Sequence, residues 1–187
     1  MPITGRTLRE AAQKLCDHIN RVLSRTVTRT RVVPVGREGV PRIEVTFRQG
    51  GQPIRARLRT RFGPMGLYLG QVCESVLKRD RLHQLRTVKY AYTLTPDGED
   101  EPLLRWEYIK QPEPEALWCR HHLQGPVDLQ LNRHTASLND LHLPTGYVPF
   151  EEVLRFCIID LGVRPLSRDW DRTLRDSYEQ FKTEFTQ

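Results

Sequence analysis

Two sets of side chains in this chain have types and spacings that suit chemistry on an anion. Arg55, Arg57, Arg59 and Arg61 alternate with Ala56, Leu58 and Thr60, so on an extended strand four guanidinium groups stand in one row while Ile54, Ala56, Leu58, Thr60 and Phe62 point the other way. Groups on alternate strand positions sit about 6.6–7 Å apart, close to the spacing of successive phosphates, and each guanidinium can bond a phosphate bidentately. Arg25, Arg29 and Arg31 share a parity on the run before, and Arg42 and Arg48 lie opposite an apolar face, so the spacing predicts one continuously basic sheet face. Glu44 is the only carboxylate in these three strands, too little for neutralisation within the sheet.

The second set is Trp118-Cys119-Arg120-His121-His122, followed by His134 and His142. RNA cleavage needs a base for the 2′-hydroxyl, an acid for the leaving oxygen and a cation on the developing charge. His121 or His122 with His142, and Arg120 as a clamp, would supply these without a metal, provided they converge on one phosphate. Consecutive residues on a strand face opposite ways, so only one of His121 and His122 can line a given pocket. The intervals match no familiar zinc spacing, and neither metal nor cofactor is expected. Walker A, G-x-G-x-x-G, H-E-x-x-H and G-x-S-x-G patterns are missing, which removes the usual support for nucleotide, dinucleotide, zinc-protease and α/β-hydrolase chemistry.

Positioning these groups requires an α+β fold. Thr7 and Glu10 read as a capping box, and Leu8, Ala11, Ala12, Leu15, Cys16, Ile19, Val22 and Leu23 recur at helical spacing to about Ser24. The period then changes to two over Val27–Val33, Arg42–Arg48 and, after Gly50-Gly51, Ile54–Phe62, as in a three-stranded meander. Leu69, Val72, Cys73, Val76 and Leu77 suit a short helix over Leu67–Leu77, closing a first unit at residues 1–80. A second unit, 84–187, or a continuation of the same domain, follows with strands over Gln84–Leu94, Leu103–Lys110 and Ala116–Leu123. A long loop, Gln124–Pro149, and two helices complete it, one from Pro149 to Gly162 and one from Ser167. Tyr90, Tyr92, Trp106 and Tyr108 read as core and cross-strand pairs of this second set.

Charge separates the two parts. Residues 1–62 hold 14 Lys and Arg against 4 Asp and Glu, and residues 63–187 hold 15 against 19, within a net charge of +6. The first part therefore favours RNA or another polyanion, an acidic protein, or the chain's own acidic C-terminal half, as partner. Cys16, Cys73, Cys119 and Cys157 lack C-x-x-C spacing and read as reduced thiols in a cytoplasmic protein. Neither a membrane-length apolar run nor a secretory leader is present in the 187 residues.

Residues 84–162 carry a further pattern: Arg86-Thr87-Val88-Lys89-Tyr90-Ala91-Tyr92, Asp97-Gly98, Leu104-Arg105-Trp106-Glu107-Tyr108, Arg120-His121-His122-Leu123 and Val148-Pro149-Phe150-Glu151-Glu152-Val153-Leu154. This order resembles the TumE-like toxins of bacterial toxin–antitoxin pairs, whose Trp-Asp-Asn triplet reads Trp106-Glu107-Tyr108 here. The resemblance implies a prokaryotic toxin acting on RNA or translation and held in check by a separate antitoxin protein.

Two functions follow as expectations. One is an RNA-directed, toxin-like, metal-independent ribonuclease using His121, His122, His142 and Arg120. The other is a non-enzymatic module of a multi-protein, defence-type assembly, docking through Arg29, Arg31, Arg55, Arg57, Arg59 and Arg61 on nucleic acid or an acidic protein.

Overall fold

The structure is a computed structural model and describes residues 3–36, 40–111, 120–126, 128–131, 134–141 and 143–185. In chain order the elements are β1 (Thr4–Gly5), α1 (Leu8–Arg25), β2 (Val32–Gly36), β3 (Arg42–Gln49), β4 (Gln52–Pro53), β5 (Ala56–Thr60), β6 (Gly63–Leu77), β7 (His83–Pro96) and β8 (Leu104–Ile109). There follow β9 (His121–Gln124), β10 (Asp128–Leu131), β11 (His134–Ser137), the single turn α2 (Leu138–Leu141), β12 (Leu143–Pro144), α3 (Phe150–Ile159) and α4 (Trp170–Phe185). An antiparallel sheet runs β12-β9-β8-β7-β6-β3-β2, with β1 on β7, β4 on β3 and β5 on β6, while β10 and β11 form a separate hairpin. The result is the expected α+β class, with a helix first and two helices last.

The expected Thr7 cap of α1 forms, while the Glu10 carboxylate reaches one residue beyond the cap. The Glu10 N–H donates to Thr7 Oγ1 at 3.1 Å, and the Arg6 N–H donates to the Glu10 carboxylate at 2.8 Å. Ala11, Ala12, Leu15, Cys16, Ile19, Val22 and Leu23 all enter the core. So does Asn20, whose Nδ2 donates to Val32 O at 3.0 Å and whose Oδ1 accepts from the Val32 N–H at 2.8 Å. One amide thereby serves both backbone groups of the first residue of β2. Replacing Asn20 by Ala leaves these groups buried and unpaired, and is expected to cost about 3 kcal/mol in a urea titration.

Several expectations are corrected. Leu67–Leu77 is strand, the C-terminal part of the 15-residue β6. Met65, Leu67, Leu69 and Cys73 alternate into the core, and Tyr68 leans over Gly70, where an added Cβ would lie 2.7 Å from its hydroxyl. Its partner β7 covers nearly its whole length, so the first strands and the second set join in one sheet through β6–β7. β3 and β5 are not neighbours: they lie end to end along the same edge of β6, β3 against Gly70–Glu74 and β5 against Gly63–Leu67. Gly50 and Gly51, at φ 56° and 81°, turn the chain only for the two residues of β4 before it resumes its course. The strand expected at Val27–Val33 begins at Val32, which leaves Arg29 and Arg31 ahead of it and Arg25 in the last turn of α1. The continuous basic sheet face therefore does not form.

The expected aromatic pairing does form. Tyr90 stands opposite Tyr108 and Tyr92 opposite Trp106, with Tyr90 and Tyr92 buried and stacked at 4.6 Å. A bulge at Val72/Cys73 shifts the register, so that Leu85 before it and Tyr90 after it both face the helices. Within 124–149, expected as loop, the chain forms β10, β11, α2 and β12. Residues 116–119 of the segment expected at Ala116–Leu123 lie outside the described residues, and His121–Gln124 is strand. Cys16, Cys73 and Cys157 are buried free thiols, and burial pushes those of Cys16 and Cys157 up to about 12; Cys119 lies outside the described residues. No helix among them is long and apolar enough to cross a membrane.

Candidate nucleic-acid interface

Alternation along β5 is as the sequence requires: Ala56 and Leu58 are buried, and Arg55, Arg57 and Arg59 stand exposed on the sheet face away from α1. The strand stops earlier than its pattern. Thr60 pairs with Gly63, its hydroxyl donating to Gly63 O at 2.6 Å and accepting the Phe62 N–H at 3.1 Å, while Gly63 takes φ 108°. Arg61 and Phe62 thus form the tip of the β5–β6 hairpin, and Phe62, expected inward by parity, is 65% exposed.

The four arginines meet different surroundings. Arg55 donates to the carbonyls of Glu99 and Asp100, both at 3.2 Å. Arg57 pairs with Asp97 at 2.8 Å, with the two side chains 71% and 51% exposed, a pair worth at most about 1 kcal/mol in water. Arg59 and Arg61 have no carboxylate partner among the described residues; Arg61 lies over the Phe62 ring, 4.8 Å from its centroid. The acidic turn Asp97–Glu101 therefore answers one end of the row and leaves the tip positive.

Backbone bonds connect this tip to the helices. The Arg61 N–H donates to Leu161 O at 2.8 Å, and the Leu166 N–H donates to Thr26 O at 2.9 Å. Gly162, at φ 70°, ends α3 against the Arg61 side chain, where a Cβ would meet Arg61 Cβ at 3.4 Å. The loop between α3 and α4 thus runs from the hairpin tip to the end of α1, carrying exposed Arg164 and Arg168. Beyond it, Arg21, Arg25 and Arg172 line a groove of about 390 Å³ between α1 and α4, with Arg25 on Asp169 at 3.3 Å and Arg172 on Asp176 at 3.5 Å. Arg29 and Arg31 reach a second groove of about 430 Å³ on the other side of α1, which Arg21 shares. Arg29 and Arg31 thus border a groove of α1 and share no sheet face with Arg59 and Arg61.

A buried polar chain ties these helices together. His18 of α1 lies 2.8 Å from Ser177 of α4 through Nε2, and the Ser177 hydroxyl donates to Glu151 of α3 at 2.5 Å. With Glu151 ionised, Ser177 spends its one proton on the carboxylate, so the Nε2–H of neutral His18 donates to Ser177. Burial, aided by the charge of Arg21, brings His18 down to about 4. Burial raises Glu151 to about 7 against the opposing Ser177 bond, with Glu152 adding to the rise. Sequence reading missed all three residues: single polar positions in amphipathic helices carry no periodic signal.

The histidines separate. His121 faces the helices, stacked on Tyr108 at 4.4 Å and edge-on to Tyr147. The Val148 N–H donates to the Tyr90 oxygen at 3.1 Å, and that oxygen lies 3.3 Å from His121 Nδ1. Burial, and next the Arg120 charge, lower the His121 pKa; Tyr90 is pushed up to about 12 by burial. His122 points to the other face, 2% exposed, with Nε2 3.3 Å from Glu107 Oε2; Glu107 also meets Arg105 at 3.4 Å. Arg120 is exposed. His142, with Trp118, lies outside the described residues, and of His134 only the backbone, in β11, is described.

Among the described residues no group of three His, Cys, Asp or Glu gathers to hold a metal ion. Comparison with protein-family models, with curated proteins and with solved structures finds no match.

Proposed function

We propose that the chain is an RNA-binding module that grips the phosphate backbone through the arginines of the β5–β6 hairpin tip and the adjoining ends of α1 and α4, without cleaving it. The observation that carries this reading is the exposure of Arg59 and Arg61 with no carboxylate among the described residues to answer them. Desolvation costs a guanidinium less than an ammonium, and its fork matches a phosphate. Phosphate contact also accounts for the strong bias of positive charge in residues 1–62. Cleavage would need a base and an acid on one phosphate. His121 and His122 are each engaged, with Tyr90 and Glu107 respectively, and His142, the expected partner of one of them, lies outside the described residues. The resemblance to TumE-like toxins would give such an RNA contact its biological setting, with an antitoxin as a second partner.

The test is retardation of labelled RNA by the purified chain at graded salt. Retardation at 50 mM salt that is gone by about 0.5 M, with the RNA left intact, is expected from counterion release. RNA that migrates freely at the lowest salt would overturn the reading. RNA cleaved by the wild type but not by His121→Ala would replace binding by catalysis.

A further inference from the structure

We propose that the hairpin tip selects single-stranded RNA, an unpaired base stacking on the Phe62 ring while Arg59 and Arg61 hold the neighbouring phosphates. The inference rests on the RNA-binding reading above and names its substrate class.

Phe62 is the most exposed large apolar side chain among the described residues, at 65%. Burial does not explain its presence. The hairpin closes at Thr60–Gly63, and the Thr60 hydroxyl fixes the turn through backbone groups alone, so the fold makes no use of the ring. Gly63 supplies the positive φ of the turn and neither Arg61 nor Phe62 does, so the tip admits ordinary side chains, and Arg61-Phe62 places a cation and a π-face there. The guanidinium of Arg61 lies 4.8 Å from the ring centroid, and the ring remains mostly in water despite it.

Exposed aromatic rings flanked by cations bind single strands because every unpaired base offers a π-face, and the stacking tolerates sequence. In a duplex the bases are already stacked and paired, so only the guanidinium–phosphate contacts would remain.

The experiment measures anisotropy of a labelled 12-nucleotide oligouridine and of a 12-base-pair RNA duplex with the wild type, Phe62→Ala, Phe62→Tyr and the double variant Arg59→Glu/Arg61→Glu. Phe62→Ala is expected to weaken single-strand binding about tenfold and duplex binding less than twofold, and Phe62→Tyr to restore it. Circular dichroism of each variant should match the wild type, since the substituted side chains are exposed. If Phe62→Ala binds the single strand as the wild type does while the arginine variant loses it, stacking is wrong and RNA binding stands. Equal losses on both probes from Phe62→Ala also overturn stacking. If the arginine variant too binds like the wild type, the RNA-binding reading itself fails.

Discussion

Replacing Glu151 by Gln should stabilise the protein above pH 7 relative to its effect at pH 4. Burial raises the folded-state value of Glu151 from 4.5 to about 7. Between these values the unfolded chain has released the proton that the folded chain keeps, so wild-type stability falls as pH rises through this window. The loss is complete above about 7 and amounts to about 3 kcal/mol. Gln keeps an acceptor for the Ser177 hydroxyl and never ionises. Its stability relative to wild type should therefore rise by this amount between pH 4 and pH 8.

His18 acts in the opposite sense. Its value falls from 6.5 to about 4 on folding, so between these limits the unfolded state binds more protons and stability rises with pH. The two slopes overlap between about 4.5 and 6.5, where they offset each other in the wild type. Glu151→Gln removes the falling one and exposes the climb. Glu10, Asp169 and Asp171, all with lowered values from hydrogen bonds to Lys14, Ser167 and Arg155 respectively, contribute equally to both proteins and cancel in the difference. Chemical denaturation at half-unit pH steps measures the effect; parallel curves for the two proteins would show that Glu151 is not held in this environment.

The parts of this arrangement that were legible before the coordinates are those in which a repeat is tied to a face. Thr7 and Glu10 mark the start of α1, the Arg/apolar alternation of β5 marks its two faces, and Tyr90, Tyr92, Trp106 and Tyr108 find their cross-strand partners. Leu67–Leu77 misled because Leu69, Val72, Cys73, Val76 and Leu77 happen to fit a helical spacing. The alternation of Met65, Leu67, Leu69 and Cys73 was interrupted only by Gln71, which is buried and donates to Thr87 Oγ1 at 2.6 Å.

The functional surface was legible in part. Exposure of Arg55, Arg57 and Arg59 follows from strand parity and that of Arg61 from the hairpin tip, but which of them are answered depends on the Asp97–Glu101 turn, brought alongside by the β6–β7 pairing of Met65 with Pro96. The tie from the hairpin tip through the α3–α4 loop to the end of α1 depends on two backbone hydrogen bonds, for which no residue type is a signal. The His18–Ser177–Glu151 chain spans 159 residues of sequence and has none either.

Reversing two charges at the tip, Arg59→Glu with Arg61→Glu, should weaken RNA binding at 0.1 M salt by at least a hundredfold and leave thermal stability almost unchanged. Both side chains are exposed and neither anchors a carboxylate among the described residues, so the folded state loses little. For the complex, two attractive phosphate contacts become two repulsive ones. Arg57→Glu is expected to have a smaller effect on affinity, because Arg57 is already partly neutralised by Asp97. Equilibrium titration of labelled RNA with each variant checks the order.

The most direct measurement is the slope of log K against log salt concentration for single-stranded RNA, taken for the wild type and for Arg59→Glu/Arg61→Glu side by side. Each lost phosphate contact lowers the slope by roughly 0.7 on a single strand, so the variant line should be shallower by about 1.4 and lie below the wild type at low salt. Superimposable lines would contradict the assignment of the hairpin tip as the place where RNA is held.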